Sequence, residues 1–284
     1  MESTWLKTII DHDDGHRCTS MHCTTCGAGD FRTQVFRGAI KAAGILEHPF
    51  AMNTMAGWNL AEEFVNMYLG HGGAFFKPGT AQVAVNNGQG VATLEMMKAL
   101  TSYSNPDFLT FDSNATAALW EGGKLALGTF WGSRGGNILD DEGSTAEITS
   151  NTVLTGAMTV GGGKSPATTL WWDGFTISKN ISDEDAEASF IAMMKGVSTE
   201  MVMANNDKAV WLIEGYKPGP AAAGVAASAA SGASSYPMLP YMGILHSAIG
   251  TEITEYLQGT ESAEQALADV EAAYTAAAKE EGFL

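Results

Sequence analysis

The residues with the most obvious chemistry cluster near the start of the chain: His16, Cys18, His22, Cys23 and Cys26, followed by Gly27. Cys23-x-x-Cys26-Gly27 has the spacing of a zinc-knuckle turn, in which two thiolates hold one ion while backbone amides point at the sulfurs. Cys18 with His16 or His22 would complete four tetrahedral ligands, so His16, Cys18, Cys23 and Cys26 form a candidate zinc set. Free thiols in a stub, or a remnant of an unrelated small protein, remain alternative readings of the same residues. A redox Cys-x-x-Cys would need a thioredoxin-like βαβ context that the flanking sequence lacks.

The paired carboxylates offer less. Glu62-Glu63, Asp140-Asp141 and Glu280-Glu281 are sequence neighbours, and neighbours on a helix or strand do not face each other across a substrate as glycosidase carboxylates must. They read as solvated charge. The glycine-rich VGGGKSP at 160–166 lacks the P-loop spacing, and no nucleophile elbow, dinucleotide fingerprint or H-E-x-x-H occurs. These residues give no enzyme reading, and no cofactor is required.

Bulk properties narrow the partners. Fifteen basic against thirty-two acidic residues give a formal charge of −17 in 284 residues, which disfavours a phosphate backbone or an anionic membrane surface. No nucleic-acid partner is expected. Apolar runs are interrupted well short of the ~18–20 residues of a membrane helix. The opening MESTWLKTIIDHDDGHRC has none of the three parts of a secretory signal, so the chain as written reads as cytoplasmic.

These residues must be positioned by elements legible in the periodicity. All three cysteines precede Gly44, and the composition then shifts to Gly, Ala, Asn, Thr and Trp, which sets 1–44 apart from 45–284. A helix-like run covers Phe31 to Ala43. Helices are expected at 58–69, ended by GHGG, at 86–100 with Val91, Leu94, Met97 and Leu100 on one stripe, and at 113–120 capped by Ser113 or Asn114. Apolar strands are expected at 125–131 and 170–177. A helix opens on Asp183 with acids in its first turn, where the helix dipole favours them, and two more cover about 241–257 and 261–279. The Gly/Ala/Ser tract at 218–235 is a linker or a surface helix. Ala being a strong helix former, the helix is preferred. Short strands among many helices indicate an α/β architecture.

Four segments in order carry a resemblance: GHGGAFF at 70–76, FDSNATAALWEGGKLALGTFWGS at 111–133, GFTISKNISDEDAEASFIAMMKGVSTE at 174–200 and EYLQGTESAEQALADVEAAYTAAAKEEGFL at 255–284. Together they resemble the C-terminal part of the extracellular solute-binding proteins of carbohydrate ABC transporters, the group that includes maltose-binding protein. The resemblance implies a periplasmic-binding-protein-like two-lobe α/β fold, here N-terminally truncated. Lobe two would span about 46–171 and 236–284, and a partial lobe one about 174–235. It implies a small neutral sugar as ligand, ABC transporter permease subunits as partners and a periplasmic location for the family. It also implies that a chain lacking much of one lobe exposes apolar surface and binds poorly; the alternative is a non-functional gene fragment or fusion whose N-terminal Cys/His segment binds zinc as an interaction module.

A neutral sugar needs an aromatic platform for its C–H face and short polar groups for its hydroxyls. Trp131 matches the family's sugar-stacking position at the end of the 125–131 strand. Trp171-Trp172-Asp173-Gly174 lies where the family chain crosses between lobes. Strand alternation lets only one of the two tryptophans face the cleft. Trp172 is chosen, with Asp173 as acceptor and Gly174 for close approach. Trp58, at a helix start, and Tyr241, near the second crossing, complete the candidate wall. Trp211 and Tyr216 read as core.

Overall fold

The computed structural model describes residues 40–140, 142–160 and 164–284. The proposed zinc ligands and most of the helix-like run at 31–43 lie outside the described residues. In chain order the elements are β1 (Phe50–Ala51), α1 (Trp58–Gly70), α2 (Gly88–Thr101), α3 (Ser113–Glu121), β2 (Leu127–Gly128), α4 (Gly135–Leu139), α5 (Ala146–Ser150) and β3 (Thr169–Leu170), then α6 (Asp183–Gly196), α7 (Thr199–Ala204), α8 (Ala223–Ala230), β4 (Ser234–Ser235), α9 (Met242–Glu252), α10 (Thr254–Gln258) and α11 (Ala263–Glu280). Strands β1 and β2 pair in parallel, with Phe50 opposite Leu127, and β3 and β4 pair in parallel, with Thr169 opposite Ser234.

The main core is drawn from the two ends of the described chain. Helices α1, α2, α9 and α11 bury Leu60, Phe64, Tyr68, Leu94, Met97, Leu245, Ile249, Leu267, Val270 and Tyr274 against one another. Helix α2 begins where the Asn87 side chain accepts from the Gly90 amide at 2.9 Å, and its Leu94, Met97 and Leu100 are buried at helical spacing. Helix α9 packs on both α1 and α11. Its approach to α1 is backbone to backbone. The Gly57 amide donates to the Gly250 carbonyl at 3.0 Å, and a Cβ on Gly250 would lie 2.2 Å from the Gly57 carbonyl oxygen. Gly57 itself has φ +96°, a conformation open to glycine.

Helix α1 is unusual in being buried on almost every side: Leu60 through Val65 are all buried. A helix with core all round cannot send adjacent carboxylates to solvent. Glu62 and Glu63, expected as solvated charge, are 3% and 5% exposed.

Several expected boundaries change. Asp112, not Ser113 or Asn114, caps α3, accepting from the Asn114 and Ala115 amides. The strands expected at 125–131 and 170–177 shrink to two residues each, because each finds a single partner strand. Past Leu170 the chain runs unpaired through Trp172 and Phe175, 71% and 69% exposed. Helix α6 forms where expected, capped by Ser182 with Asp183, Glu184 and Asp185 in its first turn, yet buries no residue and exposes Phe190, Ile191 and Met194. The Ala-rich tract is helical at α8. Residues 132–160, assigned from sequence to the 46–171 lobe, touch both sides: the Trp120 indole donates to Thr152 at 3.0 Å, and the Ala157 amide donates to Ser228 at 2.9 Å.

The Gly57–Gly250 contact leaves no space for a methyl group, so Gly250→Ala must push α9 off α1. Overpacking of this kind costs about 1–3 kcal/mol, and thermal unfolding of Gly250→Ala is expected roughly 2–10 °C below the parent. An unchanged melting temperature would show that α9 does not sit this close.

Candidate functional site

Four residues at i, i+4 spacing form one face of α1: Trp58, Glu62, Asn66 and Gly70. That face meets β3 and its flanks. At its C-terminal end Gly70 admits Val160 and Ala167, whose atoms a Cβ there would meet at 2.6 and 2.8 Å. One turn back, Asn66 Oδ1 accepts from the Thr169 amide at 2.7 Å. Glu62 Oε1 then accepts from the Thr169 hydroxyl and from the Trp171 indole N–H, the latter at 3.2 Å. Trp58 closes the row at the helix start, half exposed.

The rings continue the row. Trp171 stacks on Tyr236 with centroids 4.1 Å apart, and lies 6.1 Å from both Trp58 and Trp131, tilted to each. His246 of α9 stacks on Trp58 at 3.7 Å. Its Nε2 is 2.9 Å from the Trp58 carbonyl oxygen, which can only accept, so Nε2 carries the proton. Nδ1 therefore accepts from the Tyr236 hydroxyl, 2.9 Å away. Burial holds His246 below its usual pKa, partly opposed by the bond to Trp58, and keeps it neutral. Burial, and then the nearby Glu62, push the Tyr236 phenol up. Trp58, Trp171 and Tyr236, with Pro237, Met238 and Leu239, line an open and largely apolar groove of about 500 Å³.

Of the residues chosen from sequence, Trp58 lines this groove and Trp131 adjoins it through Trp171. The structure places Trp171, not Trp172, in the aromatic cluster. Strand alternation allowed one of the two and fixed neither. The Trp172 ring is turned out to solvent over Gly174, and Asp173 is exposed beside it. Tyr241 packs elsewhere, edge-on to Phe76 at 4.7 Å, with its hydroxyl donating to the Thr80 carbonyl. Trp211 is partly buried and donates to the Asn205 carbonyl. Sequence reasoning read Glu62 as solvated charge and passed over Trp171 in favour of Trp172, while Tyr236 and His246 were not singled out. The i, i+4 spacing of Trp58, Glu62 and Asn66 was the signal that could have drawn attention to Glu62.

Glu63 faces the other flank of α1, accepting from the Asn53 amide at 3.0 Å and the Thr129 hydroxyl at 2.9 Å. Burial pushes both carboxyls up to about 7, against a usual 4.5, although their hydrogen bonds work the other way. Among the described residues, no group of three or more His, Cys, Asp or Glu is placed to hold a metal ion. Nor is any described helix long and apolar enough to cross a membrane.

No family profile and no curated protein matches the chain in sequence. Solved structures do match it in fold. A solute-binding protein of an ABC transporter from Agrobacterium radiobacter, in complex with ribitol, superposes with a TM-score of 0.71 at 18% identity, covering 85% of this chain. Maltose-bound MalE3 of T. maritima gives 0.70 at 16% over 86% of this chain, and a chitin oligosaccharide binding protein gives 0.72 at 17% over 87%. The fold is that of a periplasmic solute-binding protein. The chain spans 63–64% of the length of these three structures.

The two raised carboxyls make stability pH-dependent. A folded value of about 7 above the ordinary 4.5 means their contribution is complete below about 4.5 and is lost as pH rises through about 7. Glu62→Gln and Glu63→Gln should each melt higher than the parent at pH 8, by a margin that closes toward pH 5. Margins independent of pH would show that the carboxyls titrate normally.

Proposed function

We propose that this chain binds a neutral sugar or polyol on the aromatic groove, without chemistry, for uptake through the permease subunits of an ABC importer. Its place of work on this reading is the periplasm. The observation that supports it most is the convergence of Trp58, Trp171 and Tyr236 on one groove. Flat indole and phenol faces match the C–H face of a sugar ring, and the groove belongs to a fold whose solved examples include proteins holding ribitol, mannitol and maltose. A glycosidase reading fits the geometry poorly. Glu62 and Glu63 point to opposite flanks of α1 and are hydrogen-bonded inward, so they do not face each other across a groove.

Isothermal titration against ribitol, mannitol, maltose and chitin oligosaccharides tests the reading. At least one should bind, with Trp171→Ala weakening it about tenfold or more, a loss of about 1.4 kcal/mol, and Trp172→Ala leaving it within about twofold. No heat with any of them, or a loss confined to Trp172→Ala, would contradict the proposal.

A further inference from the structure

Glu62 is a buried acid whose two oxygens have unequal surroundings. Oε1 takes hydrogen bonds from Thr169 and Trp171, whereas Oε2 is buried with no hydrogen-bond partner. The ring that Oε1 engages is the middle of the wall: Trp171 touches Tyr236 on one side and stands between Trp58 and Trp131 on the others. An indole has a single polar atom, so the bonds at Nε1 decide how the ring is turned. Those bonds go to Glu62 Oε1 and to the Thr169 hydroxyl at 2.9 Å, and Thr169 is itself held by Glu62 and Asn66.

From this geometry we propose that Glu62 is the positioning residue of the groove: its carboxyl holds the Trp171 ring against Tyr236 and so sets the wall on which a ligand lies. The consequence for binding rests on the sugar-binding reading above. The positioning itself is a property of the ligand-free chain. The ionisable groups facing Glu62 are few. Glu63 follows it on α1, and Tyr236, after β4, carries a phenol that donates to neutral His246 on α9. From β3 and its flank come only Thr169 and Trp171, which are uncharged. A carboxylate accepts an N–H more strongly than a neutral carboxyl does. The hold on Trp171 therefore tightens as Glu62 ionises, and burial brings that ionisation close to neutrality.

The test is a near-ultraviolet circular dichroism titration of the ligand-free chain from pH 5.5 to 8.5, read in the tryptophan bands. The wild type should show a transition near pH 7. Glu62→Gln keeps an acceptor at Oε1 and should keep the folded spectrum while losing the transition. Trp171→Phe should lose it as well. Glu63→Gln, whose carboxyl bonds Asn53 and Thr129 rather than a ring, should retain it. A transition that survives in Glu62→Gln or in Trp171→Phe, or is absent from the wild type, overturns the proposal. If Glu62→Gln does not fold, Trp171→Phe decides alone. Maltose titrations at pH 6 and pH 8 form a separate arm, in which the wild-type affinity should change several-fold and that of Glu62→Gln should not. Absence of maltose binding with an intact optical transition counts against maltose as ligand and leaves the role of Glu62 standing. An equal pH effect in both proteins counts against Glu62.

Discussion

One buried carboxyl in the first turns of α1 ties the candidate site to the scaffold. Glu62 accepts from Trp171 and Thr169 across the helix–strand boundary, while Trp58, one turn earlier, offers its carbonyl and its ring to His246. Tyr236 joins the two arms, stacked on Trp171 and hydrogen-bonded to His246. The contacts thus form a closed circuit that begins and ends on one face of one helix. A closed circuit restrains every member at two points, which is how a largely apolar groove can hold a defined shape with few polar groups.

That circuit can exist because of what lies behind α1. The helix packs against α9, α2 and β3, and Glu63 on its other flank bonds the Asn53 amide and the Thr129 hydroxyl, so from Leu60 onward it is embedded. Two close approaches fix its position: Gly57 against Gly250 brings α9 within reach of Trp58, and Gly70 against Val160 and Ala167 brings the chain leading into β3 within reach of Asn66 and Glu62. Side chains at Gly70 or Gly250 would separate the layers that the circuit bridges. The cost of the arrangement is a pair of buried acids whose ionisation is resisted by their surroundings. Away from this core the structure is thinner. Helix α6 and the run from Trp172 to Phe175 leave large apolar side chains in solvent.

The helices were legible because their apolar residues recur at helical spacing: α1, α2, α6 and α11 form close to the expected limits. Strands were over-read, since a short apolar run such as LWWDGFTI reports a segment fit for a sheet but not whether a neighbour is there to pair with it. The groove was legible only in part. Of the aromatic residues chosen near 58, 131 and 171–172, Trp58 lines it and Trp131 adjoins it through Trp171. Which of Trp171 and Trp172 turns inward depends on a hydrogen bond to Glu62, and that depends on Glu62 being inside. Adjacent glutamates ordinarily signal solvent, and only the all-round burial of α1 reverses the reading. Tyr236 and His246 come from a distant segment and meet α1 only through packing.

The most direct test of an aromatic wall organised by α1 is a ¹H–¹⁵N spectrum of the indole N–H groups, recorded while the tightest-binding of ribitol, mannitol, maltose or a chitin oligosaccharide is added. The Trp58 and Trp171 signals should shift together and saturate at one ligand per chain, while those of Trp172 and Trp211 stay in place. Shifts confined to Trp172 or Trp211, or no shift at saturating sugar, would contradict the assignment of this groove as the binding site.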